Sequence, residues 1–421
     1  MRLASIAIFS GSHLCHNPRV IKEATTLADA GYKVEVIGGW FDQAFKARDE
    51  ELLSRLTIKF SPVLDLVENN RLRRFAARVR RKLGELAQVK AGRENIWQLG
   101  LFMPALREAA FQSTADLLIA HSESAMAAVA EASQRKGCRV GVDMEDWFSE
   151  DGTAEIQKHR PVRLLKSLEQ SMLNLGSHSS CTSRAMSAAL ATEFGCPPPA
   201  VIYNAFEWSE RLLLDGLIKD RRNLRRLSIH WYSQTLGESR GLEDLFSALR
   251  YLDHSVEVHL RGKSAAGFEQ WLVEHVSPEW RSRIFIHDLV RNDELLSRIA
   301  EHDIGFAGEG RYCRNKELTV SNKILQYLLA GLAVVASNTV GQREVAAQAS
   351  GAVHIYRLGD PKSLAAELNA LLGSPEKLRS AKAAALLAAE KTFCWERQAP
   401  ILLESINASF RRKAADHPIQ R

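Results

Sequence analysis

The chain has 421 residues, more than one typical domain needs, so two or three domains are expected. Its 46% apolar and 25% charged residues match a globular protein with an ample core, and the net charge of +6 is modest but unevenly placed. Cys15, Cys138, Cys181, Cys196, Cys313 and Cys394 form no CxxC pair, which argues against a zinc site and a disulfide framework and fits a reducing cytoplasm. No apolar run approaches the length needed to span a bilayer.

In chain order, ASIAIF is too short for a signal-peptide core and reads as a first buried strand. PRVIKEATTLADAG follows as an amphipathic helix closed by Gly31, and VEVIGG, TIKF, DLLIAH, RVGVDM and SHSSCTS read as further strands. Between them, residues 71–82 (RLRRFAARVRRK) hold seven cations and no acid, with Leu72, Phe75, Ala76 and Val79 at helical spacing. Such a basic amphipathic helix suits an anionic membrane surface. A solvated face is the next reading, and nucleic acid is last, because no RNA- or DNA-binding signature accompanies the helix. GCPPPAVIYNAF then leads into polar, charged sequence through Arg225, which reads as a linker.

The pattern restarts with LSIHWYS, VEVHLRG, RIFIHD, DIGFAG, LAVVAS and AVHIY as strands, and with helices near 241–252, 265–276, 291–301, 321–330, 341–349 and 360–373. Alternation of this kind predicts an α/β protein of two Rossmann-like, doubly wound domains facing each other across a ligand cleft. The expected domains are 1–204 and 205–394, with a last helix in 395–421 that crosses back onto the first. The densest chemistry lies in NKELTVSNKILQYLLAGLAVVA. There Asn322 and Lys323 begin a helix whose unpaired N–H groups and partial positive charge suit a phosphate, and Gly331 ends it. An ordinary helix–strand step with a Gly cap is the plain alternative.

Five segments, NPRVIKEATTLADAGYKVEVI, VDMEDWFSED, VIYNAF, SQTLGESRGLEDL and SNKILQYLLAGLAVVAS, occur in an order and spacing that resemble a family 4-type glycosyltransferase with the GT-B fold. The resemblance runs over nearly the whole chain. It implies a nucleotide-sugar donor held mainly by the second domain, and transfer with retention to a glycan or lipid-linked acceptor. It also implies a role in surface polysaccharide biosynthesis and no metal or other cofactor. Breaking the bond from sugar to diphosphate develops negative charge on phosphate. Arg240, where the family usually has Lys, and Lys323 would then form a metal-free clamp at two helix starts.

The resemblance further assigns Gly11, Ser12, Thr235, Gly237, Asn322 and Gln326 to the donor. His121 and Glu317 join Arg240 and Lys323 as catalytic candidates, and Arg19, Glu145 and Asp146 are candidates for the acceptor. Two departures stand out. Thr235 occupies a position where the family often has Arg, and Gln326 replaces the second Glu of a Glu-x7-Glu pair, leaving Glu317 as the nearest acid to the first. Asp143, Glu145 and Asp146 imitate a metal-binding Asp-x-Asp, yet the fold pattern argues against that use, and helix capping is their plain alternative. The alternative functions are a sugar-nucleotide 2-epimerase and a non-catalytic sugar-nucleotide-binding subunit. The expected location is cytoplasmic, peripheral on the inner face of a membrane if the basic helix binds lipid, with no nucleic-acid partner.

Overall fold

A computed structural model describes residues 4–67, 71–221, 223–238 and 241–411. The chain divides into two compact units. One comprises Met1–Thr182, Met186–Ile202 and Ala399–Arg421, and the other Ser183–Ala185 and Tyr203–Gln398.

The N-terminal unit is built on a parallel sheet of β1 (Ser5–Ser10), β2 (Lys33–Trp40), β3 (Lys59–Asp65), β4 (Leu117–His121), β5 (Arg139–Met144), β6 (His178–Cys181) and β7 (Ala200–Val201), in the order β3-β2-β1-β4-β5-β6-β7. Every residue of β4 is buried, as helices on both faces of a parallel sheet require. The order reverses between β1 and β4. In doubly wound sheets, ligands gather beyond the carboxyl ends of the strands at that reversal.

Asn17 caps the helix Pro18–Asp29 through its side chain, with Pro at the first turn, so the first crossover starts where its sequence says it should. The final helix, Trp395–Arg411, contributes its later residues to this unit. His178 Nδ1 meets Ser405 Oγ at 2.8 Å, the Tyr32 hydroxyl donates to Asn407 at 2.6 Å, and Phe410 stacks on Tyr32.

The C-terminal unit repeats the plan with β8 (Leu227–Leu236), β9 (Val256–Ser264), β10 (Ile284–His287), β11 (Ile304–Ala307), β12 (Ala333–Ser337) and β13 (Val353–Tyr356), in the order β10-β9-β8-β11-β12-β13. Its reversal falls between β8 and β11. Trp231, Phe246, Leu260, Phe306, Val335 and Tyr356 belong to its continuous apolar core.

The strands expected from sequence are all present. Among the elements not read there are the two-residue β7, the short helix Arg314–Leu318, the long helix Pro375–Lys391 and, earlier in the chain, the helices Gln43–Leu53, Met103–Gln112, Glu123–Lys136, Val162–Leu175 and Arg184–Phe194. The second of these moves Glu317 out of a loop and into a helical turn.

Candidate functional site

In the C-terminal unit the chain leaves β8 through Leu236 and Gly237 and enters the helix Leu242–Ala248 at Gly241. Gly241 has φ +84°, and a Cβ there would lie 2.2 Å from the carbonyl oxygen of Gly308, just beyond β11. Two bare backbones therefore pass at the sheet's reversal point, an approach that only glycine permits. Arg240, immediately before, lies outside the described residues. Thr235 and Gly237 line the same exit; a methyl group at Gly237 would meet Ala265 at an ordinary 3.6 Å, so Gly237 is not sterically required.

Across the reversal, the helix Asn322–Ala330 is capped by Ser321, whose hydroxyl accepts from Lys323 N at 3.3 Å. Asn322 is exposed at its first turn, and Gly331 closes it in the left-handed region. Lys323 Nζ stands 2.8 Å from Glu309 Oε1, which also accepts from Ser321 Oγ at 2.8 Å. Burial works against the Glu309 carboxylate, but Lys323 prevails and holds its pKa below the usual range. Glu309 lies two residues past β11, with its N–H and C=O both bonded to Ser337 Oγ. Sequence reasoning missed it. The available signal was an acid two residues past the end of a buried strand, in FAGEG.

Glu317 Oε1 accepts from Val340 N at 3.2 Å, at the start of the helix Val340–Gln348, and Oε2 lies 2.6 Å from Arg311 Nε. The carboxylate thus neutralises a helix N-terminus and an arginine. Gln326 is buried, and its amide oxygen accepts from the Tyr232 hydroxyl. Lys323, Asn322, Glu309, Gln326 and the glycine approach come together around the β8/β11 reversal, with Glu317 anchoring a loop beside them.

In the N-terminal unit, Gly11 follows β1, and a Cβ on it would lie 2.4 Å from Ser124 Oγ. It lets the turn seat against the start of the helix Glu123–Lys136, and Ser12 is the next residue of that turn. Arg19 and His121 are taken up by a buried network rather than presented at a surface. Arg19 bonds both carboxylate oxygens of Asp143 and donates to the Ile202 carbonyl at 2.8 Å.

His121 Nε2 bonds Glu23, and its Nδ1 lies 3.2 Å from Asp143 Oδ2. Burial lowers the His121 pKa, but Glu23 and Asp143 more than reverse this and favour the imidazolium. Asp143 is held ionised against its burial by Arg19 and His121. The Glu23, His121 and Asp143 donors are close enough to converge on a metal ion. Arg19 already covers Asp143, however, bonding both of its carboxylate oxygens, and His121 is paired with Glu23. Glu145 and Asp146 are half-buried past β5, and burial raises the Glu145 pKa.

No protein-family model matches the chain, and no curated protein matches its sequence. Its fold is nevertheless shared with solved structures. HepE from Anabaena, crystallised with UDP and glucose, is 18% identical, with 96% of this chain and 100% of that chain covered at a TM-score of 0.68. Sucrose-phosphate synthase from Thermosynechococcus elongatus is 13% identical, covering 97% of this chain and 99% of that one at 0.70. A putative UDP-N-acetylglucosamine 2-epimerase from Listeria monocytogenes is 13% identical, covering 99% of each chain at 0.58. The two parallel-sheet units and these likenesses define a GT-B fold.

Proposed function

We propose that this protein is a retaining glycosyltransferase that moves a sugar from a nucleotide diphosphate donor to a glycan or lipid-linked acceptor in the cytoplasm, in surface polysaccharide biosynthesis. The observation that carries the reading is Lys323 in the first turn of the helix Asn322–Ala330, 2.8 Å from Glu309 just past β11. HepE, which has the same fold, is solved with UDP-glucose.

The C-terminal unit supplies what departure of a diphosphate requires. Helix N–H groups at Asn322 and the Lys323 ammonium meet the charge that develops on phosphate, and Arg240, which precedes Gly241 in the sequence, is the second cation of the proposed clamp. Glu309 keeps Lys323 oriented and charged until the donor's phosphate competes for it. With cations and a helix terminus doing this work, the clamp operates without a divalent ion. Gln326, joined to Tyr232, offers amide hydrogen-bonding to the donor's ribose. Glu145 and Asp146 are the acceptor-side acids of the N-terminal unit.

A panel of nucleotide sugars tests the proposal. The donor should raise the melting temperature, because a ligand that binds the native state stabilises it. Free nucleotide should then appear only when acceptor is present. The epimerase neighbour motivates a second reading, in which the sugar nucleotide is interconverted without acceptor. Binding with no turnover under either condition would mark a non-catalytic subunit. Strict dependence of transfer on added Mg²⁺ or Mn²⁺ would overturn the metal-free clamp.

A further inference from the structure

The helix Arg71–Ala91 carries its large apolar side chains on the wrong side for a folded protein. Leu72 is 84% exposed, Phe75 67%, Leu83 60% and Val89 67%, with Val79 and Leu86 also exposed between them. Their spacing of three and four residues places them on one helical stripe. The opposite side packs inward and is made of small residues, Ala77 and Gly84. A Cβ at Gly84 would lie 2.8 Å from Asn95 Oδ1, and Asn95 Nδ2 donates to the Gly84 carbonyl at 3.2 Å. Gln88 donates to the Arg160 carbonyl at 2.7 Å, and the Arg80 guanidinium lies over the Trp97 ring. The helix is therefore docked by its small and polar side, and its apolar stripe turns away from the unit that holds it.

Its charge is just as one-sided. Eight cations (Arg71, Arg73, Arg74, Arg78, Arg80, Arg81, Lys82 and Lys90) accompany a single acid, Glu85, which is paired with Arg81 at 3.2 Å and Lys82 at 3.3 Å. On the helical wheel, Arg73 and Arg80 flank one edge of the apolar stripe, and Arg78 and Lys82 the other.

We propose that this helix is a membrane-docking element that lies flat in the interface of an anionic phospholipid bilayer. The apolar stripe would enter the boundary between headgroups and acyl chains, about 5–10 Å deep, while the flanking cations meet lipid phosphates. Charge complementarity selects this occupant. A second copy of the chain would bring two strongly cationic helices together, and nucleic acid would leave the apolar stripe in water. The inference goes beyond sugar transfer and does not depend on it, because docking needs no nucleotide sugar.

The test is co-sedimentation of the full chain with phosphatidylcholine vesicles, with and without phosphatidylglycerol. Wild type should bind the anionic vesicles, and at least about tenfold less in their neutral counterparts or in high salt. A Leu72→Ser/Phe75→Ser/Leu83→Ser variant should lose at least about tenfold in partitioning. Its melting temperature should be unchanged, since these side chains touch little. An Arg73→Glu/Arg78→Glu variant should lose binding at low salt and differ little from wild type at high salt. Three results would overturn the proposal: no binding of wild type to anionic vesicles, equal binding of the serine variant, or a solution dimer that the serine variant disperses. Retention of duplex DNA by both wild type and the serine variant, without vesicle binding, would reassign the surface to nucleic acid.

Discussion

Lys323 and Glu317 are both charged residues near helix starts, yet their surroundings give them different work. Lys323 has one partner that a ligand can replace, the half-buried Glu309. Replacing Lys323 by Ala should remove about 1.5–3 kcal/mol of transition-state stabilisation, the worth of a hydrogen bond to a charged group. The loss should appear in kcat/KM with no large change in melting temperature. Glu317 is tied to Val340 N and Arg311, so its removal frees a helix N-terminus and a cation together. Glu317→Ala should therefore lower turnover more than Gln326→Ala, whose neutral bond is worth about 0.5–1.5 kcal/mol. Both variants should lower the melting temperature, Glu317→Ala by freeing Val340 N and Arg311 and Gln326→Ala by leaving the Tyr232 hydroxyl without its buried partner, so turnover is what tells them apart. Kinetics at saturating donor, run beside thermal melts, separate the two. The Lys323 position was legible in sequence because a helix start, a cation and a Gly stop lie within ten residues. Glu309 was not, because its pairing with Lys323 joins two separate elements and no local pattern announces it. Arg19 and His121 looked like ligand contacts for the same reason: their true partners, Asp143 and Glu23, become neighbours only once the sheet forms.

At the scale of elements, strands β8 to β10 hide a histidine cluster. His230 stacks on His302, and His259 Nδ1 lies 3.0 Å from His287 Nε2. Burial, then mutual repulsion with neighbouring histidines, lowers the pKa of His259 to about 2. Burial is also the largest cause at His302, where the Asp220 carboxylate pulls the other way and leaves the pKa at about 4. Unfolded histidine binds its proton near pH 6.5. Between these values the unfolded chain holds more protons than the native one, so stability rises with pH there and is lost as pH falls below roughly 6.5. Each such histidine should contribute a slope of about 1.4 kcal/mol per pH unit within its window. A melt series from neutral pH to pH 5 should show this acid loss, and a His302→Gln variant should show a shallower slope. The loop joining β8 to its helix is the other vulnerable element. Gly241→Ala would place a methyl group against Gly308 at positive φ. It should cost about 1–3 kcal/mol of stability and weaken donor binding, read by denaturant melts and by ligand-induced thermal shift.

Across the whole molecule, alternating patterns exposed all strands of both parallel sheets but the two-residue β7, because most strands are short apolar runs bounded by turn residues. They did not expose the helix Pro375–Lys391. That stretch is rich in Ala, whose small side chains make a weak apolar stripe, although Ala381, Ala385 and Ala388 are buried. The N-terminal unit is discontinuous in sequence, and its last contribution comes from the end of the chain, residues Ala399–Arg421. Leu402 and Ile406 are buried there, within the stretch whose Ser405 and Asn407 bond His178 and Tyr32. Ile406→Ala should therefore cost about 2–5 kcal/mol, through lost burial and the cavity left behind. The proposed donor site lies within the other unit, so nucleotide sugar should still bind the folded variant with wild-type affinity at low temperature. Isothermal titration set beside a thermal melt measures both quantities. Loss of donor affinity in the folded variant would mean that this helix also supports the β8/β11 site, and unchanged stability would mean that the last helix adds nothing to the N-terminal core.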